Sequence, residues 1–367
     1  MANQTGARTT FNDTVGLKID LSDMLPVITT PSDTPLFTRL PKKAPVQPAI
    51  LHQWLEDTLP ASTDALGAMY TAAGGTIVVT DFTLFKKGYV LKIEAELMRV
   101  TTTPTTTTVT VSTAYAGTAN VNHANAVAID IIGYAVTDGA DPEQFATTNR
   151  TVASNYMQVF QEKIEVSDLD MWAGGYGIQD KYSYEVEKWL RVLAIRSEKG
   201  IIHGRANSDS TNNTRTFGGL LSFITTNATA VAGALTETNL NDSIQLAYAA
   251  GGVPTLIVAS PKQRRKITGL IAATQKYYPR MGGSEAAGGS VTQYISDFGT
   301  LDVITDRHLP TDTIFILEEG NVAVIEGMPF TLENLGRTGT ARKGQIVGWY
   351  TVEDKAQAHS AVMTGLT

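Results

Sequence analysis

Residues 181–204 read KYSYEVEKWLRVLAIRSEKGIIHG, and this stretch decides the fold. Apolar side chains fall at Val186, Trp189, Leu190, Leu193, Ala194 and Ile201, about one face of a 3.6-residue period, which predicts a long amphipathic helix. Glu187 stands four residues before Arg191, the favourable order for an exposed ion pair. Gly204 is placed to stop the helix in a left-handed cap. From Tyr182 to His203 such a rod is about 33 Å long at 1.5 Å per residue, longer than the usual three turns. With its ring fully buried, Trp189→Ala would cost roughly 3–5 kcal/mol. No catalytic group is arranged along the helix, so it reads as a structural spine.

The flanks extend the pattern. NYMQVFQEKIEVS (155–167) alternates with period two and reads as a β-arm returning to the spine. After the helix come a polar loop, 206–216, and a short packed segment read as a buried strand, GGLLSFITTN (218–227). Further upstream, 75–137 reads as an all-β insert. Tyr89, Leu91, Ile93, Ala95 and Leu97 alternate with polar neighbours, Lys86-Lys87-Gly88 is turn chemistry, and Ala126–Ala135 adds a strand. TTTPTTTT (101–108) has a linker-like composition, but threonine and valine favour strands, so a strand pair turned near Pro104 is expected. Residues 1–48 carry prolines at 26, 31, 35, 41, 45 and 48 and read as an extended arm. Its apolar anchors, Leu25, Leu36, Phe37 and Leu40, suit docking on another surface.

Beyond residue 236 the pattern becomes α/β. TETNLNDSIQLAYAAGG predicts a helix, TLIVAS a buried strand, and Ser260-Pro261 an N-cap and first turn opening a second helix. Gln275–Ser290 is Gly-rich. Closely spaced strands follow: VTQYIS, TLDVIT, TIFILE, VAVIE and QIVGWYTVE.

Composition excludes several functions. The 367 residues carry a net charge of −7 and 43% hydrophobic residues, so a core forms readily and general nucleic-acid binding is disfavoured. The absence of cysteine excludes disulfides, thiol nucleophiles and Cys-ligated zinc. No apolar run approaches a membrane span, and MANQTGARTTFNDTVG lacks the apolar core of a signal peptide. His52, His123, His203, His308 and His359 are too far apart in sequence for a helical metal pair. No nucleophile elbow or phosphate loop occurs, and GGYGIQD (174–180) reads as a turn. Asp168 with Asp170, and Glu318 with Glu319, are carboxylate pairs whose ordinary role is in turns and strand ends. Arg264, Arg265 and Lys266 form the sharpest basic cluster. A solvated helix face is its ordinary reading; contact with an acidic neighbouring subunit or with DNA is the functional one. No catalytic residue, cofactor or metal site is expected.

Read in order, the chain resembles the major capsid proteins of tailed bacteriophages with the Hong Kong 97-type fold, in a branch with a β-rich insertion in the extended loop. The resemblance rests on TPLFTRLPKKAPVQPAILHQWLEDTLP (34–60), NYMQVFQEKIEVS, the spine helix, GGLLSFITTN, and three C-terminal pieces. These are ISDFGTLDVITDRHLP (295–310), TIFILEEGNVAVIEGMPF (313–330) and LENLGRTGTARKGQIVGWYTVED (332–354). It implies an α+β fold with an N-terminal arm (1–60) crossing to neighbouring subunits and an extended loop (61–165). It also implies a peripheral domain (166–220 and 336–367) holding the spine helix, and an axial domain (221–335) with the Gly-rich loop near a capsomer axis.

The implied function is a structural, non-enzymatic one: the icosahedral head of a phage, built from hexamers and pentamers of this chain around double-stranded DNA without sequence-specific binding. Portal, scaffolding and decoration proteins are the implied partners, with no membrane, and assembly in the host bacterial cytoplasm. The chain starts directly on an arm, so no cleaved scaffolding region is expected. The lysine–asparagine–glutamate set of crosslinking relatives is not matched. Candidate subunit-contact residues are Leu36, Phe37, Trp54, Lys86, Lys87, Arg264, Arg265 and Arg280. The rival readings are an encapsulin-type compartment shell and a monomeric β-rich binding or hydrolytic protein.

Overall fold

The computed structural model describes residues 34–72, 74–135, 138–139, 148–174, 178, 180–273 and 293–367. They form two compact units. One is Leu55–Val152; the other is the chain up to Trp54 together with the chain from Ala153 on. Arg280, the Gly-rich loop 275–290, the arm before Thr34 and most of the 174–180 turn lie outside the described residues.

The Leu55–Val152 unit is a small β-barrel. Its six strands run in the order Thr63–Ala65, Ala128–Tyr134, Tyr89–Ile93, Glu96–Val100, Thr108–Ser112, Thr76–Val78. The first and last are brought together by a bridge between Leu66 and Val79 and by the Gly67 N–H donating to the Val78 carbonyl at 2.9 Å. Closure removes the open edges that a six-stranded sheet would present to other chains. Alternate residues point inwards, and Leu66, Ile77, Val79, Leu91, Ile93, Met98, Val100, Val109 and Ile129 fill the interior.

The strand pair around Pro104 forms as expected, with Val100 opposite Val111. The alternation from Tyr89 to Leu97 is not one strand, however. It breaks into a hairpin at Glu94-Ala95, where Glu94 adopts φ 53°. Neither residue carries a turn signal, which is why the sequence pattern reads through it.

In the second unit, helix α1 (Pro35–Arg39) drops Leu36 and Phe37 into the main core. Helix α2 (Asp168–Ala173) leads towards the spine, α3 (Lys181–His203). The carboxylate of Asp180 caps α3, accepting from the N–H groups of Tyr182 at 3.0 Å and Ser183 at 3.2 Å. The Ser183 bonds hold that carboxyl below its usual range. The expected Glu187–Arg191 pair is present.

Under α3 lies a four-stranded sheet ordered Lys42–Lys43, Val322–Asn334, Ala341–Asp354, Gln158–Ser167. Phe160, Ile164, Val166, Ile346 and Tyr350 of this sheet join the core that contains Leu193, Ile201 and Ile202 of α3.

Trp189 is only partly buried at the rim of that core, with Arg196 over its ring at 5.8 Å. The expected cost of Trp189→Ala therefore falls to about 1–2 kcal/mol, measurable by urea unfolding; a loss above about 4 kcal/mol would show the ring to be fully buried.

Gly204 does end α3, but in extended backbone, φ −53° and ψ 148°, not in a left-handed cap. Its reason is space: a Cβ there would lie 2.5 Å from the Gly200 carbonyl oxygen and 2.6 Å from that of Phe217. The polar loop that follows is a hairpin, Asn207–Asp209 with Thr214–Thr216, and GGLLSFITTN, expected as a buried strand, instead turns into a short helix, α4 (Leu220–Phe223), that buries Leu220.

Helices α5 (Glu237–Ala249) and α6 (Pro261–Ala273) accompany a mixed six-stranded sheet. Its order is Ala228–Gly233, Ala361–Leu366, Ile314–Leu317, Leu256–Ala259, Gly299–Thr305, Gln293–Ser296. Both faces of its centre are buried. Leu256, Val258, Phe315 and Leu317 belong to the α3 core; Ile257, Ala259, Ile314 and Ile316 belong to a second core with Leu240, Ile244 and Ile267. This explains why LIVA and IFIL are continuous apolar runs without alternation.

Ser260 and Pro261 open α6 as expected, Pro261 being its first residue and the Ser260 carbonyl accepting the Arg264 N–H at 2.8 Å, while the Ser260 hydroxyl donates to the Thr311 carbonyl at 3.1 Å. The C-terminal strands do not all join the α3 sheet. Ala361–Leu366 crosses into the six-stranded sheet, and Val322–Asn334 pairs with Ala341–Asp354, across the expected 335/336 boundary.

Candidate assembly surfaces

The surfaces that could meet a neighbour are best defined after asking which apolar residues are already used within the chain. Leu36, Phe37 and Trp54 are used. Leu36 and Phe37 lie in the α3 core, Phe37 edge-on to Tyr350 at 5.4 Å, and Trp54 packs on Phe223 at 6.0 Å. These three were expected at subunit contacts; their apolar area is instead enclosed by their own chain. The α1 segment is an internal anchor.

Two polar devices hold it. From below, the carboxylate of Glu198, in the C-terminal part of α3, accepts the Leu36 N–H at 2.8 Å and the Phe37 N–H at 2.6 Å. These first-turn N–H groups have no partner within their helix, so the carboxylate completes the turn. From above, Arg39 donates to Asp302 at 2.7 Å and to Glu319 at 2.7 Å, which stabilises its protonated form. Glu198 is fully buried. Burial, together with the nearby carboxylate of Asp306, pushes its carboxyl up to about 8.

The other expected contacts are scattered. Lys86 is half-buried and Lys87 exposed on the barrel. Arg264 turns to the Val303 carbonyl, Lys266 donates to the Thr367 carbonyl at 3.0 Å, and Arg265 is exposed. The basic cluster is therefore largely turned back on its own chain.

A different surface is prominent. On the sheet side away from α3, Val159 lies directly opposite Trp349. With Pro45, Pro48, Ala49, Ile50, Met157, Arg215 and Gly327 they line a groove of about 650 Å³. Ile50, Val159 and Trp349 are 59%, 53% and 42% exposed, a concentration of apolar area in one place. Along the same strands the outward positions turn polar, with Lys163, Glu165 and Lys343 forming ion pairs. A second exposed pair, Leu169 and Trp172, sits on α2, which is pinned by Asp168 to Arg337 and by Asp170 to Lys181.

No single stretch of sequence marks the groove, because residues 45–50, 157–159, 327 and 349 meet only through the sheet register. Glu198 did leave a signal: a charged residue on the apolar stripe of α3, between Ala194 and Ile201.

Three of the five histidines are held against glutamates. His52 meets Glu353 at 2.7 Å, His359 meets Glu318 at 3.1 Å, and buried His123 lies between Glu94 at 2.8 Å and Glu96 at 3.1 Å. Among the described residues there is no group of three or more His, Cys, Asp or Glu arranged to hold a metal ion, and no helix long and apolar enough to cross a membrane.

Comparison with known proteins gives this arrangement a context. A family model described as SU10 major capsid protein matches residues 3–367. No curated protein matches the chain. Among solved structures, a subunit of the cyanophage A-1(L) capsid is 11% identical with a TM-score of 0.58, over 98% of this chain and 100% of that one. The capsid of the native GTA particle is 10% identical with a TM-score of 0.57, over 98% and 99%. The capsid of Myoviridae phage XM1 is 11% identical with a TM-score of 0.50, over 95% and 97%. At these identities the likeness speaks for the fold, and it extends over nearly the whole of each chain.

Proposed function

The chain belongs to the SU10 major capsid protein family, and from that premise we propose how its surfaces build a shell. It is a phage shell subunit with the Hong Kong 97-type fold, a structural component of the virion. In our reading the Leu55–Val152 barrel is the insertion of the extended loop, the α3 sheet the core of a peripheral domain, and the six-stranded sheet that of an axial domain. The arm before Thr34 crosses to a neighbour, and α1 is the point from which it departs. Copies associate into hexamers and pentamers in the host cytoplasm and enclose double-stranded DNA, with a portal at one vertex. The subunit performs no chemistry.

The observation that carries this reading is the family match along the entire chain. The apolar groove of Ile50, Val159 and Trp349 supports it, because a shell subunit keeps such area for a second copy of itself. Repetition of one weak contact over a closed shell then yields stability by mass action.

Purified protein is expected to elute as capsomers or shells and to give closed particles in negative-stain micrographs. A persistent monomer under all assembly conditions would overturn the proposal. Nucleic acid inside native particles is the expected content; a protein cargo in its place would favour an encapsulin-type compartment.

A further inference from the structure

We propose that the groove lined by Ile50, Val159 and Trp349 receives helix α2 of a second copy of this chain, with Leu169 and Trp172 as the inserted side chains. This rests on the reading of the chain as a shell subunit and names the piece of the neighbouring copy that fills the groove.

The inserted surface is built on six residues, Asp168–Ala173. Leu169 and Trp172 stand three residues apart and share one face of the helix. They are 70% and 84% exposed, whereas Met171 packs against the α3 core. An indole left in water to that degree is area that a chain ordinarily encloses or keeps for a partner. The helix is also fixed in place. Asp168 pairs with Arg337 at 2.7 Å, and its N–H donates to the Thr340 carbonyl at 3.0 Å. Lys181 Nζ donates to the Asp170 carboxylate at 2.5 Å and to the Asp170 carbonyl at 3.1 Å. A knob held this way is ordered before it meets a partner, which lowers the entropy lost on binding.

The receiving surface is equally preformed. Its lining joins Met157, Val159 and Trp349 to the proline-bounded segment 45–50, which the Met157 N–H ties down through the Ile50 carbonyl at 2.8 Å. Its volume of about 650 Å³ is that of a pocket enclosing a drug-sized apolar group, enough for one indole and one isobutyl group.

Charge sorts the pairing. Arg215 lines the groove, is exposed, and among the described residues forms no ion pair; the other lining residues are uncharged. Helix α2 brings the half-buried Asp168 and the exposed Asp170. An ionised carboxylate accepts more donors than the single cation each of them now meets. Groove against groove would instead set two Arg215 side chains together.

The knob cannot come from the same chain. Gln158–Ser167 runs from the groove to α2 as one ten-residue strand, paired along its whole length with 341–350. At 3.3 Å per residue it holds the two surfaces about 30 Å apart. Knob and groove therefore meet only between copies. Each copy offers one of each, which lets the contact repeat around a ring.

The chain has no cysteine, so thiols can be placed one at a time to test this. Ala49→Cys marks the groove and Ala173→Cys marks α2, both at exposed alanines that leave the inserted side chains intact. Full-length subunits carrying one or the other are co-expressed, assembled, treated with a short flexible bismaleimide and run on denaturing gels. A covalent dimer is expected from the mixture, and monomer from either variant assembled alone. Gln47→Cys replaces Ala49→Cys if that variant does not assemble. Trp172→Ala should lower particle yield by at least about tenfold with an unchanged urea midpoint, because the ring stands clear of its own core. Particles without the mixed dimer, an equal dimer yield from either variant alone, or wild-type particle yield from Trp172→Ala would each overturn the docking and leave the shell reading intact. Wild-type protein that forms no particles would overturn both.

Discussion

Gly219→Val is expected to lower the unfolding free energy by about 3 kcal/mol or more, one of the largest single-residue effects in the α3 unit. A Cβ at Gly219 would lie 2.5 Å from the Gly200 carbonyl oxygen, 2.6 Å from that of Ile201 and 2.7 Å from the Gly204 nitrogen. All three are backbone atoms at the end of α3, so no rotamer change relieves the clash. Separating the two segments would also break the Gly219 N–H bond to the Gly204 carbonyl at 2.9 Å and lift the Phe217 ring off Gly200. The measurement is urea unfolding, with Gly269→Ala as the contrast. Gly269 lies within α6, and among the described residues outside its own helix backbone and chain neighbours no atom lies within 4 Å of an added Cβ. That change should stabilise by about 0.5–1 kcal/mol, since glycine in a helix carries an entropic cost. If Gly219→Val moved stability by less than about 0.5 kcal/mol, the close crossing at the end of the spine would be wrong.

The same glycines show what the sequence could and could not disclose. The spine was legible because apolar residues repeat one period along its 23 residues; its cap, Asp180, was read only as part of a turn. The glycine after it was legible as a stop, but glycine is equally the residue for a positive φ and for a close backbone approach. Only the partner segment, thirteen or more residues away, distinguishes the two. The barrel strands were legible from alternation, while the hairpin at Glu94-Ala95 was not, since a left-handed glutamate has no compositional mark. Leu36 and Phe37 were legible as anchors. Whether they dock on their own chain or on a neighbour is a property of the α3 core, and no local pattern carries it. The groove is the extreme case, because it exists only where strand register sets Val159 beside Trp349.

Val159→Asp and Trp349→Ala are each expected to leave the subunit folded and to abolish closed shells. Both side chains stand on the outer side of the α3 sheet, with Val159 53% and Trp349 42% exposed, so neither is required to fill the core. Truncating an aromatic anchor at the centre of a protein interface commonly costs 2 kcal/mol or more, and a buried unpaired carboxylate costs at least as much. In a shell that loss recurs at every copy, so a contact weakened by about 2 kcal/mol, roughly a thirtyfold change in one association constant, multiplies around each closed ring. Trp349 also packs its Cβ near Gly327, so its removal has a modest folding cost of its own. Val159→Asp separates the two effects, because it adds charge to the surface without emptying a packed position. Thermal unfolding should shift by only a few degrees in either variant, while sedimentation and negative-stain imaging should show capsomers or free subunits in place of particles. Closed shells from both variants at wild-type yield would mean that the groove faces solvent in the assembled head, and that the exposed Leu169 and Trp172 of α2 must be tried in its place.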